Sequence, residues 1–563
     1  MLSAANNSRM PPPPPARASA ATLARLFRLA LAASLTLSAL LFFLWSWRWP
    51  LVGDTSLMHY IGFLIRRGWA PYRDFGDMNM PGSYLIEMAA VRIFGTGALA
   101  WRLFDFTLLA LASAAFFTIA ETPGAPSFPV SLKNVGLTER FLPALFASSL
   151  FILIHGRDGL AQGGQRDLTM AVCLIAATAF LSHTIHHGRL WPAAAFGLLS
   201  GIAVTIKPTT VLLTLAQLAL ALYAIPRISR PRLLAATLLA YLIAPAIVIT
   251  FLIRTGALAA FLSGLHTLVP YYASLGHRPL SYVLLHSLSP LLPLVIIWLA
   301  VLALDRPTLF RPGLNVDRAL LAAGVIFGLV NCILQARALP YYRYPLLAFL
   351  LPLMAIDFTR TATTPGAPRL ASAAWVRYPD IARFFAFAAL VVGGFFLAPQ
   401  SAVLIHRYRW GQTDLISSLE QNLNTLGGPA LSGHIQCIDT NSGCGNVLYL
   451  MRLEPATGVL SDFFLFGPDN APAVRQTRDQ FSAAALARPP RVIVVTSRLY
   501  LGDPDHYDNY AKLDRWPAFA TFLATRYTLH TEWTPTRTER WWSREEKPAA
   551  YRIYILRQQS GAP

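Results

Sequence analysis

Hydrophobic residues in this chain fall in long runs rather than in alternation, and such runs predict membrane-spanning helices. A helix needs about 20 mostly apolar residues to cross a bilayer. The runs predict about eleven such spans, near 29–47, 101–120, 141–155, 168–185, 190–206, 209–225, 233–253, 283–304, 319–336, 345–357 and 384–404. The pattern therefore predicts an all-α polytopic membrane protein.

The segments before and between the first spans have a different character. Residues 1–28 are proline-rich and basic, which predicts a disordered cytoplasmic N-terminus. No small-residue cleavage site follows the first run, so we interpret this run as a retained signal anchor. Residues 83–95 are apolar but carry Glu87 and Arg92, which favours a helix lying along the membrane surface.

Residues 405–563 are polar, in contrast to the membrane part at 29–404. Two short apolar stretches within them, RVIVV near 491 and YRIYIL near 551, are bounded by proline and charge, as buried strands are. We therefore predict a small α/β domain at the C-terminus.

The charge distribution predicts the orientation of the chain in the membrane. Only 13% of the residues are charged, yet the net charge is +19. Lys and Arg concentrate in short loops between the spans, such as the predicted cytoplasmic loop with Arg227, Arg230 and Arg232. Cytoplasmic loops of membrane proteins have this composition, so a nucleic-acid partner is not needed to explain the charge. We predict an inner (plasma) membrane protein with the N-terminus inside, and with the first loop, 48–100, and residues 405–563 outside.

The four cysteines form two groups. Cys173 and Cys332 lie in apolar runs, where free cysteines act as packing residues. Cys437 and Cys444 lie in the polar sequence CIDTNSGC, and an oxidising compartment outside the membrane would allow a bridge between them.

The first outer loop contains an unusual number of ionisable side chains for a segment next to a bilayer. Because charge near lipid is costly, such groups usually face a cavity or one another. A solvated loop with scattered acids is the structural alternative. The groups are Asp54, His59, Tyr60, Tyr72, Asp74, Asp77 and Glu87.

The order of motifs in this loop resembles that of a known family. After the first span come Gly-Asp-x5-Tyr, Gly-x-x-Pro-Tyr-x-Asp, Pro-Gly-x-Tyr-Leu, Phe-Gly and an Arg at the next span. This order is similar to that of the membrane glycosyltransferases of the C-type fold, which include protein O-mannosyltransferases and the aminoarabinose transferase of lipid A. Later segments fit as well, namely QRDLTMAVCLIAATAF, GLLSGIAVTIKPTTVLL and RALPYYRYPLLAFL. The resemblance covers about 1–400.

The resemblance implies a transferase that takes a sugar from a polyprenyl-phosphate carrier at the outer face of the membrane. It places the catalytic acid just outside the first span, so Asp54 is the candidate general base. The family often has an acidic pair there, whereas this chain has Asp54-Thr55, and Asp77 or Asp167 could supply the second acid. The acceptor stays open between a glycan, a lipid and a protein. No cofactor is certain, and a divalent ion at Asp54 and Asp77 stays open.

Basic residues near the outer ends of later spans are candidates for binding the donor phosphate. Arg337 and Arg343 flank a tyrosine pair, and the arginine fork suits phosphate oxygens. Lys207 is a phosphate contact or a snorkelling lysine, and Asp167 orients the acceptor or pairs with Arg166. The remaining candidates are Tyr342 and, more weakly, Arg278 with His277, which lie in a segment interpreted as a long loop at 255–282.

Two further interpretations bear on metal and on function class. The spacing of His183, His186 and His187 could suit zinc, but they lie in a basic loop with no acidic partner nearby in sequence, which favours surface histidines and no metal. A transporter or flippase of lipid-linked glycans, or a ligase or polymerase, would share the carrier. A transporter should have broken helices and charges at mid-membrane, whereas a ligase or polymerase usually has its large functional loop late in the membrane part.

Overall fold

The structure is a computed structural model, and it describes most of the chain. The described residues are 30, 32–44, 46–47, 49–121, 137–289, 291–305, 315–363, 378–395, 414–440, 442–499, 510–535 and 549–557. The predicted disordered N-terminus, 1–28, lies outside them.

Helices make up most of the described chain. Several begin with proline in the first turn, where its missing N–H costs no hydrogen bond. In chain order they are α1 (Ala32–Leu44), α2 (Gly53–Arg66), α3 (Pro81–Phe94), α4 (Ala98–Glu121), α5 (Leu137–Asp158), α6 (Arg166–His187), α7 (Leu190–Ile206), α8 (Val211–Ala224), α9 (Arg230–Arg254), α10 (Leu258–Ser274), α11 (Leu280–Leu288), α12 (Leu292–Leu304), α13 (Val316–Gln335), α14 (Tyr344–Thr363), α15 (Tyr378–Phe395), α16 (Asp414–Thr425), α17 (Cys444–Leu450), α18 (Pro472–Ala487) and α19 (Pro517–Arg526).

Several of these helices have the length and composition of membrane spans. Within the described residues, α4, α6, α9 and α13 are long and apolar enough to cross a bilayer by themselves. The predicted span 283–304 is instead two helices, α11 and α12, whose axes differ by 88°. Further apolar helices are shorter than a full span. The chain is therefore a polytopic membrane protein, and the count of eleven spans stays a prediction.

Glycines allow two of the membrane helices to approach closely. Gly197 and Gly201 are one turn apart on α7, and a Cβ at either would collide with the backbone of Thr237 or Tyr241 on α9. Small residues four apart are the usual means of close helix packing in lipid. This packing fixes the end of α7, where Lys207 lies.

The predicted orientation can be tested with a reporter enzyme fused after Ala398. With the N-terminus inside and an odd number of spans, the reporter should be active only outside the cytoplasm. A fusion after Arg230, in a predicted cytoplasmic loop, is the matched control and should show the opposite activity. Cytoplasmic activity of the Ala398 fusion would contradict the span count or the orientation.

The C-terminal part contains a four-stranded sheet. Its strands are β1 (Ile435–Ile438), β2 (Val492–Thr496), β3 (Tyr527–Trp533) and β4 (Tyr551–Leu556), in the order β1-β2-β4-β3. The β1–β2 pair is parallel and the other two pairs are antiparallel. The two apolar stretches of the sequence form β2 and β4, so both strand predictions are confirmed. The location of this part outside the membrane stays a prediction.

The C-terminal part packs directly against the first outer loop. Asn446 on α17 donates its amide to the Leu51 carbonyl at 2.9 Å, and the Tyr60 hydroxyl of α2 donates to the Leu453 carbonyl at 3.1 Å. The buried His59 ring of α2 lies edge-on to Tyr449 of α17, with ring centroids 5.5 Å apart. Helix α2, which begins just before Asp54, is therefore held by residues about 400 positions away.

Cys437 and Cys444 form a disulfide that joins the end of β1 to the start of α17. In the chain-entropy model a loop this short is worth about 2–3 kcal/mol. We expect mass spectrometry of non-reduced peptides to find the two cysteines linked, and replacement of both by serine to lower the stability by that amount. Replacing the free Cys173 by serine is the control and should leave the pairing intact. Finding both thiols free would contradict the bridge.

Candidate functional site

Asp54 lies in the first turn of α2, directly after Gly53, whose φ of 57° favours glycine. Its carboxylate accepts a hydrogen bond from Arg166 Nη2 at 3.2 Å, and the side chain is 15% exposed. Because Arg166 is the first residue of α6, this ion pair joins the first outer loop to the start of a predicted span.

Asp77 is buried and receives several hydrogen bonds. Tyr84 donates its hydroxyl at 2.5 Å, and the Asn79 amide donates to both carboxylate oxygens, at 2.9 and 3.1 Å. The side-chain oxygen of Asn79, Oδ1, in turn accepts a hydrogen bond from Arg166. Asp54 and Asp77 are therefore linked through Asn79 and Arg166, although neither acid contacts the other in this set of bonds.

Two tyrosines next to Asp77 are held in their protonated form. Burial, with the charge of Asp77 adding to it, raises the pKa of Tyr72 and of Tyr84 well above the ordinary value. Both phenols therefore remain donors near neutral pH, Tyr84 to Asp77 and Tyr72 to the Asn79 carbonyl. Because its oxygens already accept these hydrogen bonds, Asp77 is well suited to positioning the loop.

Asp167 and Lys207 form a second ion pair beside the first, with Lys207 Nζ 2.5 Å from the Asp167 carboxylate. Of the two alternatives for Asp167, pairing with Arg166 is not what the structure has, since Arg166 is paired with Asp54. Lys207 Nζ also lies 5.1 Å from the centre of the Tyr342 ring. These contacts connect Asp167, at the start of α6, to the tyrosine pair at 341–342.

Arg337 is a buried cation with neutral hydrogen-bond partners among the described residues. Its Nε donates to the Leu275 carbonyl at 2.8 Å, another nitrogen donates to the Tyr272 carbonyl, and Nη1 lies 3.5 Å from the Tyr342 hydroxyl. The residues on either side, Ala336 and Ala338, have φ angles of 51° and 56°. Positive φ in non-glycine residues is costly and often marks a functional loop.

The other two predicted phosphate contacts are placed differently. Arg343 is buried and binds both oxygens of the Asp158 carboxylate, so its charge is already compensated. The Arg278 side chain is exposed, with its guanidinium 5.6 Å from the Tyr282 ring. Its backbone N–H donates to the Ala336 carbonyl, so Arg278 borders the Arg337 loop without sharing the ion pairs.

The sequence interpretation did not assign a role in the site to Arg166, Asn79 or Tyr272. The guanidinium of Arg337 lies 4.0 Å from the Tyr272 ring centre, and burial raises the pKa of this phenol. One signal could have identified it, since Pro-Tyr-Tyr occurs at both 270–272 and 340–342. One tyrosine of each pair, Tyr272 and Tyr342, contacts Arg337.

Metal ligands do not converge in the part of the chain that the structure describes. No group of three His, Cys, Asp or Glu side chains is close enough to hold an ion. The histidine cluster differs from its sequence interpretation in one respect, because His186 does have an acidic partner, Asp317 on α13, at 2.8 Å.

Comparison with known proteins identifies the fold. The chain is similar to the crystal structure of ArnT from Cupriavidus metallidurans in the apo state, with a TM-score of 0.56 and 15% identity over 95% of this chain and 98% of that one. It is also similar to the same protein bound to undecaprenyl phosphate, with a TM-score of 0.52 and 13% identity over 96% and 100%. No protein-family model matches the sequence, and no curated protein is similar to it at the sequence level. The C-type glycosyltransferase fold predicted from the motifs is thus confirmed.

Proposed function

We propose that this protein is a glycosyltransferase that moves a sugar from a polyprenyl-phosphate carrier to an acceptor hydroxyl on the outer face of the membrane. The observation that carries the proposal is a continuous path of contacts between residues far apart in sequence. It runs from Asp54 through Arg166 to the adjacent Asp167, and then through Lys207 and Tyr342 to Arg337. Such a path offers an acid at one end and, at the other, a cation whose hydrogen-bond partners among the described residues are neutral.

Asp54 is proposed to act as general base. The acceptor hydroxyl gives its proton to the Asp54 carboxylate as its oxygen attacks the anomeric carbon, and the bond from that carbon to the phosphate oxygen breaks. Polyprenyl phosphate leaves as an anion and the sugar carbon is inverted. Arg166 keeps the carboxylate oriented through their ion pair.

Arg337 is proposed to bind the carrier phosphate. A buried guanidinium whose described partners are neutral is well suited to a phosphate, which supplies the missing negative charge. Lys207 is already paired with Asp167, so its part is to complete the positive side of the site. The ArnT structure with undecaprenyl phosphate supports this class of carrier, because the two proteins share a fold.

Purified protein in proteoliposomes tests the proposal. We expect release of polyprenyl phosphate together with transfer of the sugar to an acceptor, and no movement of the intact lipid-linked sugar across the bilayer. Movement across the bilayer without sugar transfer would instead favour the flippase alternative.

A further inference from the structure

A cleft lies where three parts of the chain meet, next to Gly76 of the first outer loop. Its volume is about 160 Å³. One wall is the first outer loop at Tyr72 and Gly76, the second is α10 at Thr267, and the third is the C-terminal part at Ser461 and along α18. The cleft is smaller than the usual pocket of a drug-sized ligand, about 300–1,000 Å³, and suits one small ring.

The walls of the cleft combine apolar side chains with hydrogen-bonding groups and are almost uncharged, a combination that suits the two faces and the hydroxyls of a sugar ring. Hydroxyls come from both α10 and the C-terminal part, and α18 contributes Gln476 and Gln480, which are four residues apart and therefore share a helix face. The charged side chain in the wall, Arg73, is neutralised, because it makes two hydrogen bonds of 2.8 Å to the Asp74 carboxylate. Hydroxyl and amide groups both donate and accept hydrogen bonds, as sugar hydroxyls do.

The cleft is connected to the proposed catalytic residues through its outer-loop wall. Gly76 directly precedes Asp77, and the Tyr72 hydroxyl donates to the Asn79 carbonyl. On the opposite side, a Cβ at Gly458 would collide with the backbone carbonyl of Asp74, so the C-terminal wall is in contact with the loop. A ligand in the cleft would therefore lie beside the Asp77–Asn79–Arg166 network.

We propose that this cleft binds a neutral sugar unit of the acceptor, which makes the acceptor a glycan. The inference rests on the proposed function and narrows its acceptor to one class. A phosphate-bearing acceptor group would need cations, and the cation in the wall, Arg73, is compensated. An extended peptide would need a longer groove or an open strand edge, whereas this cleft has the size of a single ring.

The test is ligand binding to the full-length protein in nanodiscs, measured by saturation-transfer NMR with methyl glycosides of common hexoses and N-acetylhexosamines. We expect binding of at least one methyl glycoside by the wild type. The double variant Gln476→Ala/Gln480→Ala should bind it about tenfold more weakly, because two hydrogen-bonding amides are lost. Gln421→Ala, an exposed glutamine on α16 outside the cleft, is the matched control and should bind as the wild type does.

A second variant, Thr267→Trp, fills the cleft from the α10 wall and should abolish glycoside binding. Binding of undecaprenyl phosphate is measured on every variant and should not change.

If the wild type binds undecaprenyl phosphate but no methyl glycoside, or if all variants bind the glycoside equally, the cleft inference is wrong while the proposed function stands. Inorganic phosphate or a short peptide competing for the cleft would also overturn the inference. A wild type that does not bind undecaprenyl phosphate would contradict the proposed function itself.

Discussion

Replacing Asp54 with asparagine should lower the rate of sugar transfer by about 10²–10⁴-fold, which is the usual contribution of a general base. The substitution keeps the size of the side chain and leaves an oxygen to accept the hydrogen bond from Arg166, but it removes the group that takes the proton. Carrier binding should be unaffected, since Arg337 lies at the other end of the site. Single-turnover transfer assays beside carrier-binding assays measure the two effects separately.

Asp77→Asn and Asp167→Asn are the matched controls and should have smaller effects. Asp77 is surrounded by donors from Tyr84 and Asn79, and Asp167 is neutralised by Lys207, so both changes disturb positions rather than remove the base. If Asp54→Asn kept wild-type activity while Asp77→Asn lost it, the base would be Asp77 rather than Asp54. If all three acids prove dispensable, the proposed mechanism is wrong.

Replacing Arg337 with alanine should weaken carrier binding by roughly 10- to 150-fold, the equivalent of one buried charge-assisted contact of about 1.5–3 kcal/mol. The hydrogen-bond partners of Arg337 among the described residues are neutral. Removing its charge therefore leaves no acid among them unpaired. The dissociation constant for undecaprenyl phosphate, measured in nanodiscs, should rise, while acceptor binding should not change. Arg337→Lys should restore part of the affinity, because lysine supplies the positive charge but not the paired N–H donors of the guanidinium.

Variants of two other arginines serve to distinguish a residue that binds phosphate from one that stabilises the fold. Arg343→Ala leaves the Asp158 carboxylate buried without its partner, which typically costs about 3–5 kcal/mol, so this variant should lose thermal stability. Arg278→Ala should change neither stability nor carrier binding by much, because the side chain is exposed. Normal carrier affinity in Arg337→Ala would mean that this loop is structural.

Long apolar runs were sufficient to predict the helices, because lipid imposes the same composition on every span. They were not sufficient to predict α10, which lies in what we interpreted as a loop at 255–282, or the 88° change of direction between α11 and α12. Both depend on which neighbours the helices pack against. Residue patterns along one chain do not contain that information.

The candidate residues of the proposed site could be chosen from the sequence, but their pairings could not. Asp54, Asp77, Asp167 and Lys207 were chosen from the resemblance in motif order, and their roles stay proposals. Arg166 pairs with Asp54, whereas its neighbour Asp167 pairs with Lys207. These pairings depend on how α6 is oriented relative to α2 and α7. Arg343 could not be separated from Arg337 by sequence either, because the acid that compensates it, Asp158, lies 185 residues away.

The docking of α17 against α2 has a consequence for how the protein can change over evolution. The two surfaces share a hydrogen bond to Leu51 and a ring contact with His59, within a few residues of Asp54. A chimera that combines this membrane part with the C-terminal part of a distant relative would leave those partners unmatched beside the proposed base. Substitutions on either surface therefore constrain the other, and we expect the two parts of the chain to be inherited together.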